Sequence, residues 1–163
     1  MDKINNDMKD DENIQGGNKD ELIDDYDSVL RESALLTTVA AILFGFLLNI
    51  SVNPPEDFTS FGKVILLVTL FSIVVATLLF SMPVIYHHAQ YPYKKFIKFQ
   101  ARSHRFIIFG IIPFLLTLYL SLSIAIFIFF DFTYFNPVYS HLFSFTLSSI
   151  PFVIIYILYM KRK

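Results

Sequence analysis

Between an apolar run that ends near Met82 and another that begins near Phe106, the stretch from Pro83 to Arg105 gathers Lys94, Lys95, Lys98, Arg102 and Arg105. Clustered Lys and Arg in a short connection stay on the side from which a membrane protein inserts. The two flanking runs are therefore predicted to cross a bilayer as helices joined by a basic cytoplasmic hinge. Once this hinge is placed, every other connection has only one side on which it can lie.

Composition supports a membrane class. With 55% hydrophobic and only 17% charged residues, the chain is too apolar for an ordinary soluble domain. A net charge of -1 conceals an asymmetry. The first 32 residues are strongly acidic, whereas the remainder is basic, so an acidic tail precedes a membrane domain that carries its positive charge inside. No cysteine is present, which excludes disulfides, thiol catalysis and thiolate metal sites.

Residues 1–19 are polar, Asn/Asp-rich and contain Gly16-Gly17, a composition that predicts a disordered acidic tail. In residues 20–32, Leu22, Ile23, Tyr26, Val29 and Leu30 fall on one helical arc opposite Glu21, Asp24, Asp27 and Arg31, predicting an acidic amphipathic helix. Its charge disfavours an anionic lipid surface, so its apolar face suits a protein partner.

Four spans follow, at about 33–50, 63–82, 107–130 and 141–160, each near the length that a helix needs to cross a bilayer. Pro83 is expected to end the second, since proline lacks the helical N–H donor. The connection 51–62 and the aromatic segment 131–140 carry no Lys or Arg, apart from the span boundaries, and Lys161-Arg162-Lys163 follows the last span, so both termini are placed in the cytoplasm of an inner-membrane protein. The expected fold is an all-α, integral membrane four-helix bundle with up-and-down topology and short amphipathic cytoplasmic helices.

Within the hinge, residues 93–106 show helical periodicity with the five basic side chains on one arc. An interfacial helix, apolar face among lipid headgroups, accounts for that pattern. A second reading docks this basic helix against the acidic helix 20–32.

Thr37, Ala41, Gly45 and Asn49 recur every fourth residue in the first span, and Thr117 and Ser121 do so in the third. Such small and polar residues mark faces where helices approach closely and hydrogen-bond in a membrane, either inside the bundle or against a partner. His87, His88 and His104 flank the hinge, but one adjacent pair without a carboxylate at ligand spacing falls short of a metal site. Interfacial or backbone-bonded histidines explain them, with pH sensing at the hinge as a minor alternative.

Three segments give the chain a family likeness: Leu30-Arg31-Glu32-Ser33, Leu43-Phe44-Gly45-Phe46-Leu47-Leu48, and Pro83-Val84-Ile85-Tyr86-His87. In these and in the order of its parts, from Val29 to Lys163, it resembles small prokaryotic four-helix membrane proteins of unknown function, some of which are labelled sodium:proton antiporters. That family often carries an Arg soon after the acidic residue and a Pro-Gly pair in the first span, where this chain has Ala34-Leu35 and Thr37-Thr38.

Antiport requires a titratable group reached from both sides, and such groups appear as Asp, Glu, His or Lys within spans. Here Glu32, Asp131, His87, His88, His104 and His141 all lie at span edges. No nucleophile-base order, phosphate loop or zinc motif points to an enzyme, no cofactor is implied, and the short basic loop needs no nucleic acid to explain it. The expectation is a non-catalytic accessory, assembly or structural subunit, embedded in the lipid bilayer and packed on another membrane protein or on itself. The alternative is a small oligomeric transporter or channel, including cation/proton antiport.

Overall fold

The computed structural model describes residues 2–55, 58–90, 96–130 and 137–162, and the side chains of 27–55, 58–89, 102–130 and 138–162. These residues form four helices, α1 (Asp2–Val52), α2 (Ser60–Gln90), α3 (Phe96–Phe129) and α4 (Pro137–Met160), with no strand among them. Each contains a segment long and apolar enough to cross a membrane: Asp27–Val52, Ser60–Ala89, Arg102–Phe129 and Val138–Met160.

The helices are longer than the spans read from the sequence. α1 continues back through the acidic segment to Asp2, where composition predicts a disordered tail, and the side chains that would decide whether this part packs lie outside the described residues. α3 likewise runs without a break from Phe96 into its span. Lys94 and Lys95 lie outside the described residues, as do the side chain of Lys98 and Asp131.

Pro83 does not end α2, which continues to Gln90. Proline removes one helical hydrogen bond, and in an apolar helix neighbouring groups can satisfy the carbonyls that its ring disturbs. Pro83 is fully buried, and Ser33 of α1, also fully buried, donates its hydroxyl to the Phe80 carbonyl one turn earlier. The helix therefore passes through the proline with help from its neighbour.

α2 and α3 form the centre, α1 packs on both, and α4 packs mainly on α3, with His141 also reaching Phe61 of α2. α2 and α3 approach closely where Gly110 faces Phe80: a Cβ at Gly110 would lie 2.7 Å from the Phe80 ring and 3.2 Å from Leu79 Cβ. Phe80 is completely buried and meets Phe114 edge to face at 5.7 Å. From α1, Ser33, Ala40 and Leu47 turn inward at seven-residue spacing, the repeat of a left-handed helix crossing.

α4 approaches α3 through Ser140, Ser144 and Ser148, all buried. Ser144 and Ser148 donate back to the carbonyls of Ser140 and Ser144, at 3.0 and 2.7 Å, which makes this face small and satisfied. Tyr119 joins the two helices, its hydroxyl 3.2 Å from the Phe145 carbonyl and its ring stacked on Phe145. Because Ser149 also donates to that carbonyl at 2.9 Å, Tyr119→Phe would not leave it unpaired. The expected cost is about 0.6 kcal/mol, typical of one interhelical hydrogen bond in a membrane protein, read as a small loss of unfolding free energy in detergent.

Candidate functional site

The sequence-predicted residues divide into two groups. Thr117 is fully buried and donates to the Pro113 carbonyl at 2.9 Å, and Ser121 donates to the Thr117 carbonyl at 2.6 Å. These hydroxyls serve their own helix beside Pro113. On α1, Thr37 is half-buried, whereas Ala41, Gly45 and Asn49 are exposed, and a Cβ at Gly45 would meet nothing within 4 Å. Among the described residues, no other helix is brought against Ala41, Gly45 and Asn49.

At the basic end, Arg102 donates to the Tyr86 hydroxyl at 2.9 Å, with its guanidinium 5.9 Å from the Tyr86 ring centre, linking α3 to α2. Arg105 is exposed. The rings of His87 and His88 stand edge to face at 5.2 Å, and His104 is exposed on α3. Among the described residues, no group of three His, Asp or Glu side chains converges in a way that could hold a metal ion.

The most built site lies at the opposite end, around His141. Thr59 caps α2: its Oγ1 accepts the Gly62 N–H at 3.0 Å, the usual role of a threonine just before a helix. The same oxygen lies 2.9 Å from His141 Nε2. Since the oxygen already accepts from Gly62, its hydroxyl hydrogen is free to donate to Nε2, an arrangement that suits a neutral imidazole protonated on Nδ1. His141 is 8% exposed, stacks flat on Phe127 at 4.4 Å and meets Phe61 edge-on at 4.9 Å. One side chain of α4 thus touches α3, the first turn of α2 and the connection that precedes it.

Beside the imidazole is a cavity of about 320 Å³ lined by Thr59, Phe61, Val138, His141, Leu142 and Phe145. With Nε2 turned to Thr59, its walls are apolar. A second side of His141 closes against Phe58, Gly62, Ser123 and Phe127. The ring is therefore equipped to fasten the connection between α1 and α2 to α4, and the cavity to take an apolar group. Sequence reasoning placed His141 only at a span edge; its Phe- and Thr-rich surroundings come from three separate segments.

These features define a class: an all-helical protein with four helices suited to a multi-pass membrane protein. Residues 19–158 match the model of a family of unknown function (DUF6328), and the chain belongs to that family. No curated protein and no solved structure matches it.

Proposed function

We infer that the protein is a non-catalytic accessory, assembly or structural subunit of a larger membrane complex. The observation that carries this reading is the outward face of Ala41, Gly45 and Asn49 on a helix whose other side packs inside the molecule. Small residues permit close backbone approach, and the Asn49 amide, whose oxygen accepts from Asn53 Nδ2 at 3.3 Å, has N–H groups to offer a partner. Residues 33–52, 64–86 and 106–129 contain no Asp, Glu, His, Lys or Arg, and 138–160 holds of these only His141, whose Nε2 is engaged by Thr59. The basic cluster between α2 and α3 and the terminal Lys161-Arg162-Lys163 support the reading that both termini face the cytoplasm at an inner membrane.

Gly45→Leu tests the reading. No described residue lies within 4 Å of a Cβ there, so its own folding is expected to be unchanged. Isolation in mild detergent followed by native mass spectrometry is expected to show the unaltered protein in a heteromeric complex of fixed stoichiometry and Gly45→Leu largely outside it. A homo-oligomer without another chain would replace this reading by that of an oligomeric transporter or channel.

A further inference from the structure

Among the described residues the backbones of α2 and α4 make no close approach to each other, and His141 bridges the two helices through Phe61 and through Thr59 just before α2. The cavity of about 320 Å³ lies at this bridge, and all six of its lining residues are described. Phe61 and Leu142 stand at its rim, each more than half exposed. His141 and Phe145 lie deeper, the first buried and the second half-buried.

Lining, size and depth limit what the cavity can take. Its walls are apolar, because Thr59 Oγ1 is engaged by the Gly62 N–H and by His141 Nε2. A charged or hydrogen-bonding group would lose its water there and find nothing in return. An apolar cavity of about 150 Å³ takes a benzene ring, so this one takes roughly ten to twelve carbons, more than a single side chain of another protein would fill. Val138 to Phe145 rises about 10 Å along α4, so the cavity runs from the helix end into the apolar span, the path of a chain that descends from the membrane interface.

We propose that this cavity binds one acyl chain of a membrane phospholipid, held between Phe61 of α2 and Leu142 and Phe145 of α4, where it fills space between two helices that the chain itself does not pack together. Volume disfavours a lone protein side chain, and the apolar lining disfavours a polar ligand. The rim lies on segments suited to cross a bilayer, whose interior is hydrocarbon. No Asp, Glu, Lys or Arg lines the cavity, so the acyl chain and not the headgroup is what it recognises. A chain bound in this way reaches His141, whereas one that only lies along the surface touches Phe61 and Leu142.

Carbene labelling reads that difference. The full chain is reconstituted in phosphatidylcholine vesicles with a minor fraction of phosphatidylcholine that carries a diazirine in the upper half of one acyl chain, then irradiated, and the adducts are located by peptide mass spectrometry. Adducts are expected on His141 and none on Leu47 or Leu66, which are equally buried but belong to the core of the helices. Phe71, exposed on α2, is the reference for chains that merely surround the protein. Leu142→Trp, whose indole takes up the cavity, is expected to lower the His141 adduct several-fold with Phe71 unchanged, whereas Leu142→Ala, which leaves the cavity open, keeps it. Labelling of Phe61 and Phe71 without His141, or a His141 adduct undiminished in Leu142→Trp, would overturn the site.

Discussion

Replacing Gly110 by leucine is expected to be among the most damaging single changes in the chain. Even one added carbon at this position would sit 2.7 Å from the Phe80 ring and 3.2 Å from Leu79 Cβ. Neither can retreat easily, because Phe80 is fully buried against Phe114 and Cβ of Leu79 is fixed by its backbone. Overpacking of this kind costs about 3 kcal/mol or more for a whole added side chain, well above the roughly 1 kcal/mol by which a helix interior favours leucine over glycine. Phe80→Ala alone costs about 3–5 kcal/mol through the cavity it leaves. In the double variant the leucine occupies that space, so the two losses are expected to sum to less than their separate values. Unfolding free energies in mixed micelles measure all three, and full additivity would show that the two residues do not meet.

The second large effect is expected at Thr59. Thr59→Val keeps the shape but removes the oxygen that caps α2 through Gly62 and that meets Nε2 of the buried His141. Loss of a cap costs about 1 kcal/mol and an orphaned buried acceptor about 1–3 kcal/mol, so a total of about 2–4 kcal/mol is expected. His141→Phe retains a flat ring against Phe127 and loses only the bond to Thr59, so its own cost is smaller. Once Thr59 is valine, His141→Phe is expected to restore part of the stability, because no polar nitrogen is then left without a partner. A double-variant cycle with no coupling would mean that the imidazole and the hydroxyl contribute independently.

How far the fold could be read in advance follows from what membrane-type sequences encode. The apolar runs and their polar interruptions located four helices in order, because length and hydropathy are set by the chain itself. Which face of each helix turns inward was much less legible. α1 carries Ser33, Ala40 and Leu47 at seven-residue spacing and Thr37, Ala41, Gly45 and Asn49 at four-residue spacing, and only the first set forms the buried line. When the surroundings are as apolar as the interior, hydrophobicity cannot rank two such faces, and side-chain fit decides.

Pro83 shows a related limit. Its helix-ending rule assumes that the disturbed carbonyls turn to water, whereas here a hydroxyl from a residue 47 positions away reaches the turn before it. His141 escaped notice because its environment is assembled from Thr59, Phe61 and Phe127, which no local pattern connects.

The central claim, that the outward face of α1 is a contact surface for another protein, can be met with one measurement. The chain lacks cysteine, so Gly45→Cys introduces a single thiol on that face and Leu67→Cys one on exposed α2. Short thiol-reactive cross-linking in native membranes, followed by mass determination, is expected to give from Gly45→Cys one adduct of defined mass containing a different chain, and none from Leu67→Cys. Recovery of uncross-linked protein alone from Gly45→Cys, or of a dimer of the same chain, would contradict the account.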